Sequence, residues 1–146
     1  MRISSKGRYA IAALIEMALD GSGDYITVAT LAGRLNVSKV YLEQIFSLLK
    51  RGGVVLSGKG SQGGYLLSDK PEHITLYKIL SPIELSLSER TKNATEGLSF
   101  EIAATVSKLV FQPLDEALIH TLTSITLADL TAEVQQRCDG GSMYYI

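Results

Sequence analysis

The sequence predicts a mainly α fold with a small β-hairpin wing, namely a winged helix-turn-helix plus a long C-terminal helix. Three observations predict it. Apolar residues recur at helical spacing through most of the 146 residues. Two short amphipathic helical segments stand a few residues apart, as in a helix-turn-helix. A glycine-rich string, Gly58-Lys59-Gly60-Ser61-Gln62-Gly63, then lies between two short runs of strand formers.

The elements follow in order. Ser4-Ser5 offers capping hydroxyls to a first helix over 6–20, which stops at Gly21-Ser22-Gly23. Its middle, Ala10-Ile11-Ala12-Ala13-Leu14-Ile15, is apolar on nearly every face, so it must be covered on several sides, with a partner subunit as one source of cover. Thr27 caps a second helix, where Val28, Leu31, Ala32 and Leu35 share one face. Asn36-Val37 breaks the chain. Ser38 caps a third helix to about residue 50, with Tyr41, Leu42, Ile45, Leu48 and Leu49 inward and Lys39, Glu43, Gln44 and Ser47 outward.

Arg51-Gly52-Gly53 ends that helix, and Val54-Val55-Leu56-Ser57 with Gly64-Tyr65-Leu66-Leu67 reads as a hairpin. Pro71 interrupts the chain, Thr75 caps a short helix over 76–80, and Pro82 ends it. Residues 84–97 carry Ser, Thr, Glu and Asn with little apolar pattern and are expected to form a mobile loop. Helical spacing resumes from Ser99 through Phe100, Ala103, Val106, Leu109, Val110, Leu114, Ala117, Leu118 and Leu122, with Pro113 either kinking one helix or starting the next. Thr126 caps a last helix to about residue 137, and a flexible tail is expected over 139–146.

Composition excludes several classes. One Cys and two His cannot supply a four-ligand structural zinc site, and one Cys cannot form an internal disulfide. The longest apolar stretch is interrupted by Glu16 and is too short to cross a bilayer, and the start lacks a signal-peptide pattern, so a soluble cytoplasmic protein is expected. The net charge of −1 hides a partition: residues 1–70 hold nine Lys/Arg and five Asp/Glu, whereas 71–146 hold five and ten. The two halves are therefore expected to meet different partners.

The outward residues at the start of the third helix, Ser38, Lys39, Val40, Glu43 and Gln44, suit base-edge and phosphate contacts: Gln pairs with adenine, Glu accepts from cytosine N4, and Lys reaches phosphate or guanine. A solvated helical face has the same composition. Gly58-x-Gly60-x-x-Gly63 also spells a dinucleotide-binding string, but that chemistry needs a helix after the glycines, and Tyr65-Leu66-Leu67 is strand-like. The same glycines suit a wing tip that approaches a phosphate backbone closely while Lys59, Ser61 and Gln62 touch the groove. Ser4, Ser5, Lys6 and Arg8 at the positive end of the first helix form either a phosphate clamp or a simple cap. His73, His120 and Cys138 have no catalytic neighbours in sequence, and no catalytic or metal-binding residue is assigned.

Ser5-Lys6-Gly7-Arg8-Tyr9-Ala10, Tyr41-Leu42-Glu43-Gln44-Ile45-Phe46 and Gly58-Lys59-Gly60-Ser61-Gln62-Gly63-Gly64-Tyr65-Leu66-Leu67 together resemble the Rrf-two family of winged-helix transcriptional regulators, the IscR and CymR type. The match is collinear over 1–80, and Ile125-Thr126-Leu127-Ala128-Asp129-Leu130 resembles the segment after the family's long dimerisation helix. The resemblance implies a homodimer on a palindromic double-stranded DNA operator, with a DNA-binding domain over 1–80, a mobile loop over 81–98 and dimerisation helices over 99–138. It implies that Ser38, Val40, Tyr41, Glu43 and Gln44 face DNA and that Lys59, where many members carry Arg, and Gly60 enter the minor groove.

Cluster-binding members carry three closely spaced cysteines in the loop matching 84–97, and this chain has none there, so no iron–sulfur cluster or other cofactor is expected. It resembles instead the cluster-free, CymR-type repressors of cysteine metabolism. Those end in an aromatic tail with C-terminal Ile, like Tyr144-Tyr145-Ile146 here, which implies O-acetylserine sulfhydrylase (cysteine synthase) as a partner. A free α-carboxylate on Ile146 is suited to a site built for an amino-acid carboxylate. The reading is a repressor rather than an enzyme, the alternative of another class being a winged helix that serves only protein contact.

Overall fold

Helix α1 (Ser5–Asp20) is the centre of the computed structural model, which describes residues 2–58, 63–87 and 96–143. It begins where the Ser4 hydroxyl accepts a hydrogen bond from the Gly7 amide at 3.1 Å, and it stops at Gly21, whose φ of 62° is open to a residue without Cβ. Around it pack α2 (Val28–Leu35), α3 (Lys39–Arg51), α4 (Leu76–Leu80), strand β2 (Tyr65–Leu67) and α7 (Leu127–Met143). Its own chain thus accounts for Ala10, Ala13 and Leu14 being inaccessible, while Ile11, Ala12 and Ile15 stay half-buried.

The helix-turn-helix is built from local hydrogen bonds. Thr27 Oγ1 accepts from the Thr30 amide at 3.1 Å to start α2, and Ser38 Oγ accepts from the Tyr41 amide at 3.1 Å to start α3. Between them Asn36 takes a left-handed conformation (φ 54°, ψ 48°), so the Val37 amide reaches back to the Ala32 carbonyl at 3.1 Å and closes the end of α2. Leu31, Leu42, Ile45, Phe46 and Leu49 are fully buried, and Phe46, which helical spacing alone did not assign to the interior, packs on Tyr65 with ring centroids 4.8 Å apart.

Strand β1 (Val55–Ser57) pairs antiparallel with β2, Val55 opposite Leu67 and Ser57 opposite Tyr65. Ile26 joins the other edge of β2 through a reciprocal pair, its amide to the Tyr65 carbonyl at 3.0 Å and the Tyr65 amide to its carbonyl at 2.8 Å. The hairpin root is therefore fixed to the segment entering α2, while the tip residues Lys59, Gly60, Ser61 and Gln62 lie outside the described residues.

A 3-10 turn (Pro71–His73) leads to α4, capped by Thr75 and ended before Pro82. Of the expected loop over 81–98, the described part holds a turn, a 3-10 helix (Leu85–Leu87) and a buried side chain, Glu84, and 88–95 lie outside the described residues. Helix α5 (Phe100–Val106) then runs through a π-helical turn (Ser107–Phe111) into α6 (Gln112–Ser124) with right-handed helical backbone throughout. Pro113 cannot donate to the Leu109 carbonyl, and the wider π turn just before it absorbs that mismatch, so one rod of about 37 Å results.

The chain then returns to the first core. The Leu76 amide donates to the Ile125 carbonyl and the Leu127 amide to the Ile74 carbonyl, both at 2.8 Å, and fully buried Leu127 shares the cluster of Leu14 and Ile74. Helix α7 continues to Met143, through Asp139, Gly140 and Gly141 where a flexible tail was expected. A glycine costs only about 1 kcal/mol within a helix, which does not stop one in the absence of proline.

Candidate nucleic-acid interface

The first two turns of α3 present Lys39, Val40, Glu43 and Gln44 to solvent, Val40 with 65 % of its surface exposed. They do so because Ser38 fixes where the helix starts and because Leu42, Ile45, Phe46 and Leu49 turn the opposite face into the core. Lys6, from the first turn of α1, stands beside them: it lines one open groove of about 440 Å³ with Val40, Glu43, Gln44, Ser47 and Leu48. A cation suited to phosphate, a carboxylate and an amide suited to base edges, and an apolar side chain suited to a thymine methyl thus share one surface. Ser47 and Leu48 lie outside the set that the sequence nominated, although 40, 44, 47 and 48 form a single helical stripe that spacing alone can reveal.

The other nominated residues are placed as follows. Ser38 spends one lone pair on the cap and keeps its hydroxyl proton to donate. Lys39 Nζ is 3.7 Å from Glu43 Oε1 in an exposed pair of the strength that DNA readily displaces. Arg8 Nη2 donates to Ser5 Oγ at 3.1 Å, and both side chains are exposed. Tyr41 is half-buried, its ring against Tyr9, so the ring builds the α1–α3 junction rather than standing free toward solvent.

Ser4 departs from the expected phosphate clamp. Its amide and its hydroxyl both donate to Glu84 Oε1, at 2.8 and 2.6 Å, and its oxygen accepts from Gly7. Both donors being spent, Ser4 has none for a phosphate.

The glycines of the 58–64 string have structural causes where they are described. A Cβ on Gly58 would stand 2.8 Å from the Tyr25 ring, and Gly64 has φ 112° with the Ile26 carbonyl 2.9 Å from where a Cβ would be. The string leads into β2 and not into a helix, which removes the dinucleotide-binding context. Elsewhere the charge is locally compensated: Arg34 bridges Asp20 at 3.3 Å and Glu16 at 3.8 Å, and hydrogen bonding from Ser22, with help from Arg34, holds the Asp20 carboxyl below its ordinary range.

Among the described residues no helix is long and apolar enough to cross a membrane. The tail residues Tyr144, Tyr145 and Ile146 lie outside the described residues.

Comparison with known proteins fits this geometry. Residues 3–133 match the Rrf2 (Rrf-two) family model, described as an iron-dependent transcriptional regulator. The HTH-type transcriptional regulator IscR of Aliivibrio salmonicida is 33 % identical over 141 residues, covering 95 % of this chain and 83 % of that protein. The structure of CymR, the global cysteine regulator of B. subtilis, superposes with a TM-score of 0.74 at 30 % identity, covering 91 % of this chain and 98 % of that one. T. potens IscR superposes at 0.66 with 28 % identity, covering 92 % and 88 %.

The residues present do not fit the iron–sulfur chemistry found within this family. The chain has one thiol, Cys138, exposed on α7, and no cysteine between 84 and 97, whereas clusters of this kind are held mainly by several thiolates. Among the described residues no group of three His, Cys, Asp or Glu side chains is arranged to hold a metal. With a helix-turn-helix whose exposed face joins Lys6 to Val40, Glu43 and Gln44, a hairpin in the wing position and likeness along nearly its whole length, the chain belongs to the Rrf2 family of DNA-binding transcriptional regulators.

Proposed function

We propose that the protein is a homodimeric repressor that binds a palindromic operator through α3 and the wing and regulates genes of sulfur or cysteine metabolism. The observation that carries the DNA-contacting part is the groove that joins Lys6 of α1 to Val40, Glu43 and Gln44 of α3. In this reading α3 lies in the major groove, Glu43 and Gln44 read base edges, and Ser5, Lys6, Arg8, Ser38 and Lys39 hold phosphates. Lys59, Gly60, Ser61 and Gln62 touch the minor groove or its edges; the strongly hydrated ammonium of Lys59 inserts less readily than a guanidinium, so it is assigned to a phosphate at the groove edge.

Dimer formation is supported by the rod of α5 and α6, which leaves Phe100, Leu109 and Leu114 at 82, 67 and 63 % exposure, more apolar surface than a solvated helix normally carries. Likeness to CymR, a global cysteine regulator, supports the metabolic assignment. The aromatic string Tyr144-Tyr145-Ile146, with its resemblance to the tails of CymR-type repressors, supports O-acetylserine sulfhydrylase as the tail's partner.

The test is to select bound genomic fragments with the purified protein and measure affinity for the recovered duplexes across a salt series. Specific binding is expected to weaken steeply with salt through counterion release, and Lys59→Ala to flatten the log–log slope by about one unit. Absence of any duplex binding rejects the reading in favour of a module for protein contact, and an unchanged slope removes Lys59 from the phosphate contacts.

A further inference from the structure

Among the described residues Glu84 is the one charged side chain that is buried, at 8 % exposure, and it lies where the winged helix gives way to the rest of the chain. Its backbone is held from both sides: its amide donates to the Leu80 carbonyl at the end of α4 at 2.7 Å, and its carbonyl accepts from Leu87 of the following 3-10 helix at 3.0 Å. Its Oε1 takes both donors of Ser4, 80 residues away, at the foot of α1. The approach is close enough to dictate a neighbour, since a Cβ at position 7 would stand 2.5 Å from Oε1 and 2.8 Å from Ile3 Cγ2. Gly7 is helical and needs no unusual φ, so its lack of a side chain serves this approach and not a turn.

Burying a carboxylate is costly, and an apolar side chain of similar volume generally stabilises a fold as well or better. A cap for α1 does not explain it, because Ser4 already caps the helix. What the carboxylate adds is a fixed position for the first turn: Ser4 is tied to Glu84 through its amide and hydroxyl, while Ser5, Lys6 and Arg8 stay exposed beside it. Lys6 is the residue of that turn that reaches the α3 groove.

We propose that Glu84 is a positioning residue for DNA binding: by holding both donors of Ser4 it sets the first turn of α1, and with it Lys6 and Arg8, against the phosphate backbone. The proposal rests on the phosphate contacts assigned above to Lys6 and Arg8. Because Glu84 extends from the end of α4, and α4 packs on both α1 and α6, phosphate affinity depends on α4 staying seated.

The test uses the full chain with Lys6→Ala, Glu84→Leu, Glu84→Gln and Gly7→Ala, each checked for helicity and unfolding midpoint. Binding to a fluorescein-labelled mixed-sequence duplex is followed by anisotropy over a salt series. Lys6→Ala is expected to flatten the log–log slope by about one unit, and Glu84→Leu to weaken binding about tenfold with a slope flatter by about one to two units, roughly one for each phosphate no longer neutralised. Glu84→Gln, whose amide oxygen still accepts from Ser4, is expected to stay within about threefold of the parent, because Lys6 and Arg8 keep their positions. Gly7→Ala, which pushes the carboxylate away without removing it, is expected to follow Glu84→Leu.

Folded Glu84→Leu and Gly7→Ala proteins with parental affinity and slope overturn the proposal, as does a loss in Glu84→Gln equal to that in Glu84→Leu. Tighter binding by both Glu84 variants also overturns it, because the carboxylate then acts only as a repelling charge. An unchanged slope in Lys6→Ala overturns the phosphate reading of α1 and the proposal with it, whereas a flattened Lys6→Ala slope beside parental Glu84→Leu overturns the positioning role alone. Should Glu84→Leu not fold, Gly7→Ala compared with Lys6→Ala decides.

Discussion

Tyr9 on α1 and Tyr41 on α3 meet edge to face, with ring centroids 5.8 Å apart and planes at 88°. This pairing ties α3, the helix proposed to read DNA, to the helix at the centre of the molecule, and it sets Tyr41 apart from its exposed neighbours Val40 and Glu43. Tyr41→Ala is expected to cost about 2 kcal/mol in urea denaturation, because the variant buries less apolar surface and has no aromatic pair. Tyr41→Phe keeps the ring and is expected to preserve both stability and operator affinity. Weakened operator binding by a stable Tyr41→Phe protein would return its hydroxyl to the DNA contacts.

Glu43 has a different balance. Its pairing with Lys39 is exposed and long, so Glu43→Ala is expected to change stability by less than about 0.5 kcal/mol. Its carboxylate is suited to accept from cytosine N4, an interaction that discriminates between bases by about 1–3 kcal/mol. The alanine variant is therefore expected to bind non-specific duplex at least as well as the parent while losing its preference at one operator position. Competition between selected duplexes differing at single base pairs measures this, and an unchanged ranking removes Glu43 from sequence readout.

The parts of this molecule that the sequence reveals are those decided within a few residues. Ser4, Thr27, Ser38, Thr75 and Thr126 each accept from the amide three residues on, so helix starts follow from the local string. The outer face of α3 is legible for the same reason, as the complement of Leu42, Ile45 and Leu49. What spacing does not reveal is long-range: Ile26 on the edge of β2, Leu127 back in the first core, and Glu84 against Ser4. The clamp reading of Ser4 fails on that last pairing, because a serine before a helix looks the same whether its donors face phosphate or a carboxylate from 80 residues away. The end of α7 is missed for a local reason: Gly140-Gly141 lowers helix propensity without abolishing it.

The exposed apolar residues of α5 and α6 make the dimer testable apart from DNA. Leu109→Glu and Leu114→Glu each place a charge on the surface that the proposed dimer buries, at a cost of several kcal/mol, so the dimer dissociation constant is expected to rise at least about 100-fold. Sedimentation checks this directly, and helicity should persist because both side chains are exposed in one chain. A variant that remains dimeric at low concentration places the interface elsewhere.

The tail offers a separate measurement. Removing Tyr145 and Ile146 is expected to abolish capture of purified O-acetylserine sulfhydrylase and to leave duplex affinity unchanged, since the basic half of the chain is untouched. Capture that survives the deletion rejects the tail as the binding segment.

The junction between α6 and α7 carries its own pH dependence. Thr126 and Asp129 cap reciprocally, the Thr126 amide donating to Asp129 Oδ2 at 2.9 Å and the Asp129 amide to Thr126 Oγ1 at 3.2 Å. The Thr126 amide, followed by its hydroxyl, holds the Asp129 carboxyl below the ordinary value of 3.8. A carboxylate whose folded value is depressed contributes stability that is complete above the unfolded value and lost as pH falls through the folded one. Asp129→Asn keeps an acceptor oxygen without the charge, so the stability gap between parent and variant is expected to be constant from neutral pH to about 5 and to narrow below the ordinary value. Urea denaturation at stepped pH measures the gap. A gap that instead widens on acidification would mean that the ionised Asp129 is disfavoured in the folded chain, contrary to the geometry of the cap.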